Sequence, residues 1–145
     1  MQPDVVADLQ HLSQIISEAT APAFLLGAVC GLLGLLMSRF SRVLERIRAV
    51  AAIAADDQSQ AHLRPELPRL MRQLRILNRA IFFAICSAIC TTALVILAFA
   101  SALLGFRHEP VVAWIFMLAL GLMAVSLFNF VLEVWFSLGE LKLYR

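Results

Sequence analysis

Three long apolar runs dominate the hydrophobic pattern of the chain. They cover residues 19–37, 80–104 and 111–132, and none contains a charged residue. A helix needs about 20 apolar residues to cross the hydrocarbon core of a bilayer. Because backbone polar groups in lipid must be satisfied within their own segment, each run should be a helix. The pattern therefore predicts an all-α membrane protein with three transmembrane helices.

Two heptad patterns of apolar residues extend the first two predicted spans. One follows the first span and the other leads into the second: Leu36, Phe40, Val43, Ile47, Val50 and Ala54, and then Leu67, Leu70, Leu74, Leu77 and Ile81. Alternating spacings of four and three are typical of helices that pack along a common seam. Turn-forming residues separate the two segments. Residues 38–79 are therefore predicted to form an antiparallel helical hairpin that continues both spans.

The remaining segments are short. At residues 1–18, Val5, Leu9, Leu12 and Ile16 repeat at helical spacing, which predicts an amphipathic helix. It would lie on the outer membrane surface or pack on the ends of the other helices. Residues 105–110 form a loop short enough to make the second and third spans antiparallel. Residues 133–145 form a C-terminal extension.

The distribution of charge predicts the topology. The chain has 145 residues, 61% of them hydrophobic, and 12 lysines and arginines. Nine of these basic residues are arginines of the predicted hairpin: Arg39, Arg42, Arg46, Arg48, Arg64, Arg69, Arg72, Arg75 and Arg79. Basic residues concentrate on the cytoplasmic side of a membrane. We therefore expect a multi-pass protein of the plasma membrane with its N-terminus outside, and with its hairpin and C-terminus in the cytoplasm.

The arginines of the hairpin are candidates for binding. Arginine grips phosphate and carboxylate groups with two parallel hydrogen bonds. Contacts with anionic lipid headgroups or with a cytoplasmic protein partner are expected from six of them: Arg39, Arg42, Arg46, Arg72, Arg75 and Arg79. The alternative is that the charges only set the topology and solvate a helix face. No aromatic platform accompanies them, so nucleic acid is not an expected partner.

A polar face follows the third span. It consists of Ser126, Asn129, Glu133, Ser137 and Glu140, spaced by three or four residues. Acidic residues in a membrane span favour a functional hypothesis, and a ring of Glu133 side chains in an oligomer would favour cations. Alternatively, Glu133 pairs with an arginine at the membrane boundary, either Arg39 or Arg79, and closes the bundle.

The first span carries small residues at helical spacing. Gly27 and Gly31 form a GxxxG pattern, and Gly34 lies one turn further on. Small residues let helices approach closely in lipid. These glycines are therefore expected to pack either against the other helices of the same chain or against another copy in a homo-oligomer.

Signatures of catalysis or metal binding do not emerge from the sequence. Cys86 and Cys90 lie one turn apart in the second span, and His11, His62 and His108 are scattered over three segments. Two cysteines without a neighbouring histidine are too few for a metal site, and no nucleophile or phosphate-loop motif appears. We expect neither an enzyme nor a cofactor.

Several segments, in their order and spacing, resemble a known family. These are APAFLL at 21–26, SRFSRVLERIR at 38–48, LRPELPRLMRQLRILNRAI at 63–81 and FVLEV at 130–134. They resemble the bacterial membrane proteins grouped as domain of unknown function 2721. The resemblance implies three spans in a bacterial inner membrane, and it supplies no catalytic or binding residues.

Two functions are compatible with these features, and the polar face of the third span favours the first, with the second as the alternative. In the first, several copies surround an ion-conducting pore lined by the polar face of the third span. In the second, the protein is a non-conducting scaffold or adaptor whose hairpin binds a protein partner or anionic lipid. A pore requires Asn129 and Glu133 to contact water, whereas a scaffold requires them to be buried in pairs.

Overall fold

The fold consists of three long α-helices. The computed structural model describes residues 3–56, 66–104 and 109–141, which form α1 (Pro3–Asp56), α2 (Glu66–Leu104) and α3 (Glu109–Leu141). Each helix contains a segment long and apolar enough to cross a membrane. The described residues are thus all helical, and three helices long and apolar enough to cross a membrane are confirmed. Most of the predicted outer loop, the turn of the hairpin and residues 142–145 lie outside the described residues.

Helix α1 is one continuous helix of 54 residues. At 1.5 Å per residue it is about 81 Å long, far more than the hydrocarbon core of about 30 Å. Pro22 lies in its interior, where membrane helices tolerate proline. The predicted segment 1–18 and the first span therefore form a single helix, and a separate amphipathic helix is not confirmed. The side chains of Val5, Leu9 and Leu12 lie outside the described ones.

Helices α1 and α2 pack antiparallel along the predicted heptad seam. Leu36 packs with Leu77 in one buried cluster, and Ile47 packs with Leu70 in another, further along both helices. Every seam residue whose side chain is described is buried or half-buried; the side chain of Ala54 lies outside this set. We call residues 38–56 of α1 and 66–79 of α2 the arms. The packing of the arms extends the bundle beyond the apolar runs.

Helix α2 also packs against α3, through small and polar residues. The hydroxyl Oγ of Ser87 donates a hydrogen bond to the carbonyl oxygen of Ala119 at 2.8 Å. The Oγ of Ser126 donates to the carbonyl oxygen of Ala80 at 2.7 Å. All four residues are buried. Because Ser126 pairs with the earlier residue of α2 and Ala119 with the later one, α2 and α3 are antiparallel, as the short loop predicts.

Two exposed tryptophans on α3 indicate the membrane boundaries. Trp114 and Trp135 are 73% and 74% exposed and lie 21 residues apart. This separation corresponds to about 31 Å of helix, close to the hydrocarbon thickness of about 30 Å. Tryptophan is enriched at both membrane–water interfaces. We therefore expect a membrane–water boundary at the level of Trp135, with the arms of α1 and α2 continuing beyond it.

Candidate functional site

A buried carboxylate lies at the boundary marked by Trp135. The side chain of Glu133 on α3 is only 2% exposed, and Arg39 of α1 donates a hydrogen bond from Nη1 to its Oε2 at 3.2 Å. The Arg39 guanidinium also lies over the ring of Phe130, with its Cζ 5.6 Å from the ring centroid. Of the two pairings considered from sequence, Glu133 thus makes the one with Arg39.

The pair is suited to this depth in the membrane. An unpaired carboxylate near the hydrocarbon core is costly, and a hydrogen-bonded arginine offsets part of that cost. Arg39 remains 36% exposed at its side chain, so its guanidinium extends from the buried Glu133 toward the surface. The result is a polar contact that joins α1 to α3 where these helices leave the hydrocarbon core.

A groove of about 540 Å³ opens beside this pair, between the two arms and the end of α3. Six charged side chains line it: Arg39, Arg42, Arg46, Arg69, Glu66 and Glu133. Two half-buried polar residues, Gln73 and Ser137, complete the polar part of the wall. Seam residues Val43 and Leu70 contribute its apolar part. We refer to this cavity as the arginine groove.

Two of its four arginines already have carboxylate partners. Arg39 pairs with Glu133, and Arg46 donates from Nε and Nη2 to Oε1 of Glu66 at 2.9 and 2.6 Å. The second pair joins α1 to α2 across the arms. Arg42 donates to the hydroxyl Oγ of its helical neighbour Ser38 at 3.2 Å. Among the described side chains, neither Arg42 nor Arg69 has a carboxylate partner, so the groove carries an excess of two positive charges.

The other arginine candidates lie outside the groove. The Cζ of Arg72 lies 5.0 Å from the centroid of the Phe136 ring, a contact between α2 and α3. Arg75 and Arg79 are exposed on α2. The structure therefore brings three of the six candidates, Arg39, Arg42 and Arg46, to one cavity and leaves the other three on separate surfaces.

Sequence reasoning missed Arg69, Glu66 and Gln73 as lining residues of this cavity. A signal for Arg69 is present in the heptad pattern. Arg42 directly precedes seam residue Val43 and Arg46 precedes Ile47; Arg69 likewise precedes Leu70. Positions beside a seam face the partner helix at its edge. An antiparallel register of the two arms, read from the heptad seams, would have predicted that these flanking positions lie close together.

The polar face of α3 points mostly into the protomer. Ser126 is buried against α2, and Glu133 is buried against Arg39. Asn129 is half-buried and donates from Nδ2 to the carbonyl oxygen of Val125, in its own helix, at 2.8 Å. Ser137 lines the arginine groove. Glu140 belongs to α3, but its side chain lies outside the described ones.

The glycines of α1 lie outside its tightly packed contact face. Gly27, Gly31 and Gly34 are exposed, and a Cβ atom added at any of them would meet no heavy atom of the described residues within 4 Å. Gly27 lines an open cavity together with Phe99 of α2. Close packing of the other helices onto these glycines is thus not seen among the described residues, and that interpretation stays a prediction. Buried positions such as Val29 and Leu32 place α1's contact face on the opposite side. Contact with another copy stays a prediction.

Within residues 3–56, 66–104 and 109–141, no group of three histidine, cysteine, aspartate or glutamate side chains is placed to hold a metal ion. The buried polar side chains of the same part of the chain all have hydrogen-bond partners. The groove combines four guanidinium groups, two of them paired with carboxylates, with a neutral amide and a hydroxyl.

Comparison with known proteins yields one match. No curated protein and no solved structure matches the chain with significance. A family model described as "Protein of unknown function (DUF2721)" matches residues 19–143. This range contains all three spans and both arms, including every side chain that lines the arginine groove. The match confirms the resemblance noted in the sequence: the chain belongs to the DUF2721 family.

Proposed function

We propose that this protein is a non-conducting scaffold of a bacterial inner membrane whose arms bind anionic lipid headgroups. Its N-terminus lies outside, and its arms and C-terminus lie in the cytoplasm. The observation that carries the proposal is the arginine groove, which begins at the Arg39–Glu133 pair and continues outward from the membrane boundary. Basic pockets at this depth on the cytoplasmic side are suited to anionic headgroups.

The location of the groove matches the location of lipid phosphates. The polar headgroup layer extends about 5–8 Å beyond the hydrocarbon core on each side. Arg42 lies three residues beyond Arg39, about 4.5 Å further along α1. On this proposal its guanidinium lies in the headgroup layer. Arg46, about 10.5 Å beyond Arg39 along α1, and Arg69 lie just outside that layer, with side chains long enough to reach back to it. A protein partner of the arms is compatible with this arrangement and remains a prediction.

The geometry disfavours a pore lined by α3. Ser126 and Glu133 make their hydrogen bonds to α2 and α1, inside one protomer. Turning them toward a pore would break both contacts and leave Arg39 without its partner. Positive charge along the groove would also repel cations approaching from the cytoplasmic side. A homo-oligomer does not require a pore, since the exposed glycine face of α1 is free in the protomer.

Reconstitution into lipid nanodiscs tests the proposal. Anionic lipid should raise the midpoint of thermal unfolding relative to a purely zwitterionic bilayer, because a ligand of the folded state stabilises it. Added salt should reduce the shift, because it screens exposed charges. Liposomes containing the protein should show no cation flux above that of empty liposomes. Equal stability in both bilayers, or a cation flux that Glu133→Gln abolishes, would overturn the proposal.

A further inference from the structure

We infer that the arginine groove binds one lipid headgroup carrying two phosphate groups, and that Arg42 and Arg69 hold one phosphate each. The inference rests on the proposed function and names the ligand of the same site. It divides the four arginines into two roles. Arg39 and Arg46 hold protein carboxylates and fix the groove walls, whereas Arg42 and Arg69 are available to a ligand.

The charge of the groove favours a ligand with two negative charges. The two ion pairs neutralise Arg39 and Arg46, which leaves two uncompensated guanidinium groups in the same cavity. A single phosphodiester would neutralise only one of them. The other guanidinium group would then remain in the groove without a counter-charge. Two phosphates neutralise both groups and leave no excess charge in the groove.

The spacing of the two groups favours phosphates joined by a short bridge. Arg42 and Arg69 project from different helices, so a ligand between them contacts both arms. Leu70 packs with Ile47, which places Arg69 near the level of Arg46 and Arg42 about one helical turn closer to the membrane. One turn is about 5.4 Å along the axis. The two residues are thus staggered along the groove rather than placed at one level.

Neutral groups between the charges support the same ligand. Gln73 and Ser137 are half-buried in the wall and present an amide and a hydroxyl to the cavity. Both side chains can donate hydrogen bonds to phosphate oxygens or to a hydroxyl on the bridge. The seam residues Val43 and Leu70 form an apolar side of the groove, against which the carbon atoms of such a bridge would pack. At the membrane-facing end of the groove, the acyl chains of the bound lipid would remain in the bilayer.

Native mass spectrometry in mild detergent, with titrated lipid, tests the inference. The probes are cardiolipin, with two phosphates, and phosphatidylglycerol, with one, at equal phosphate concentration. We expect the wild type to bind cardiolipin about tenfold more tightly. Arg42→Gln and Arg69→Gln should each weaken cardiolipin binding about fivefold, the effect of one arginine near an anionic surface. Arg75→Gln makes the same charge change on the exposed surface of α2, and it should change binding less than twofold.

The outcomes separate the inference from the proposed function. Equal affinity for both lipids would overturn the two-phosphate headgroup while leaving anionic lipid binding in place. Absence of binding to either lipid would overturn both. Competition by inorganic pyrophosphate at an affinity similar to that of cardiolipin would overturn the lipid as the source of the phosphates. Equal losses for Arg75→Gln and Arg42→Gln would overturn the assignment of residues.

Two further variants guard against misfolding as the cause of a lost affinity. Arg42→Lys and Arg69→Lys keep the charge but lose the planar group that forms two parallel hydrogen bonds. They should retain helix content by circular dichroism and bind cardiolipin with an affinity between those of the wild type and the glutamine variants. Lysine variants that bind as weakly as the glutamine variants, with unchanged helix content, would contradict a role for charge.

Discussion

The arms and the membrane bundle use different side chains to hold the same helix, α2. In the arms, α2 packs on α1 through large aliphatic residues such as Leu70, Ile47 and Val50. In the bundle, α2 packs on α3 through small residues and hydroxyl groups, with Ser87 and Ser126 bonded to backbone carbonyls of the facing helix. One helix therefore carries two kinds of interface along its length.

The difference follows from the solvent around each region. Outside the hydrocarbon core, burying an apolar side chain removes it from water, which contributes about 25 cal/mol per Å². Within lipid that gain is lost, because the acyl chains are as apolar as the side chains, and close packing with interhelical hydrogen bonds takes its place. Many large apolar side chains of the bundle, such as Phe82, Ile89 and Phe128, are accordingly exposed.

A charge in the seam of the arms should have the largest effect. Ile47→Asp removes a buried aliphatic side chain and places a carboxylate opposite Leu70. We expect a loss of about 4 kcal/mol from the packing of the arms, from lost apolar burial and desolvation of the charge. Limited proteolysis should then cleave the arms while the membrane bundle stays intact.

Ala49→Asp is the matched control for this variant. Ala49 is exposed on the same arm, so the variant has the same charge and the same poor helix propensity without touching the seam. It should resist the protease like the wild type. If both aspartate variants were cleaved at the same rate, packing along the seam would not be what holds the arms together.

In the Arg39–Glu133 pair, loss of the arginine should lower the free energy of unfolding more than loss of the glutamate. Arg39→Gln leaves a buried carboxylate without its cation and should cost about 3 kcal/mol. Glu133→Gln leaves a half-exposed arginine that still donates to the amide oxygen, so we expect a loss of about 1 kcal/mol. Chemical denaturation in mixed micelles measures the free energy of unfolding of both variants. A larger loss for Glu133→Gln would mean that the carboxylate is not buried as described.

Loss of an interhelical hydroxyl in the bundle should have a smaller effect. Ser126→Ala and Ser87→Ala each remove one hydrogen bond between α2 and α3, worth about 0.6 kcal/mol in membrane proteins. Thr92 is exposed and donates only to the carbonyl oxygen of Ala88 in its own helix, so Thr92→Ala is a control with an effect near zero. Equal losses at all three positions would remove the distinction between interhelical and local hydroxyl groups.

The smallest effect on the protomer is expected at the glycine face of α1. Space around Gly31 is open, so Gly31→Ala should gain about 0.5 kcal/mol from helix propensity. Thermal unfolding at a large excess of detergent measures this gain in isolated protomers. Native mass spectrometry at low detergent shows whether the same variant lowers the share of oligomers. A loss of protomer stability would contradict the outward orientation of Gly31.

Much of the architecture could be predicted from the sequence. Uninterrupted apolar runs mark the three spans, since only a helix satisfies its backbone hydrogen bonds in lipid. The alternating spacing of seam residues such as Leu36, Val43 and Leu77 marks the packing of the arms, since a helix brings positions three and four residues apart to one face. Both signals are local, so neither requires knowledge of how the helices meet.

Only the tertiary structure decided how the polar groups are used. The sequence allows Glu133 to pair with Arg39, with Arg79 or with neither; the rotation and register of α1 against α3 select Arg39. The same rotation turns Gly31 outward. Arg69 joins Arg42 in one groove because the arms are antiparallel. Each of these outcomes depends on residues distant in the chain, and rotating a helix by about 100°, the angle between successive residues, would change them without altering any local pattern.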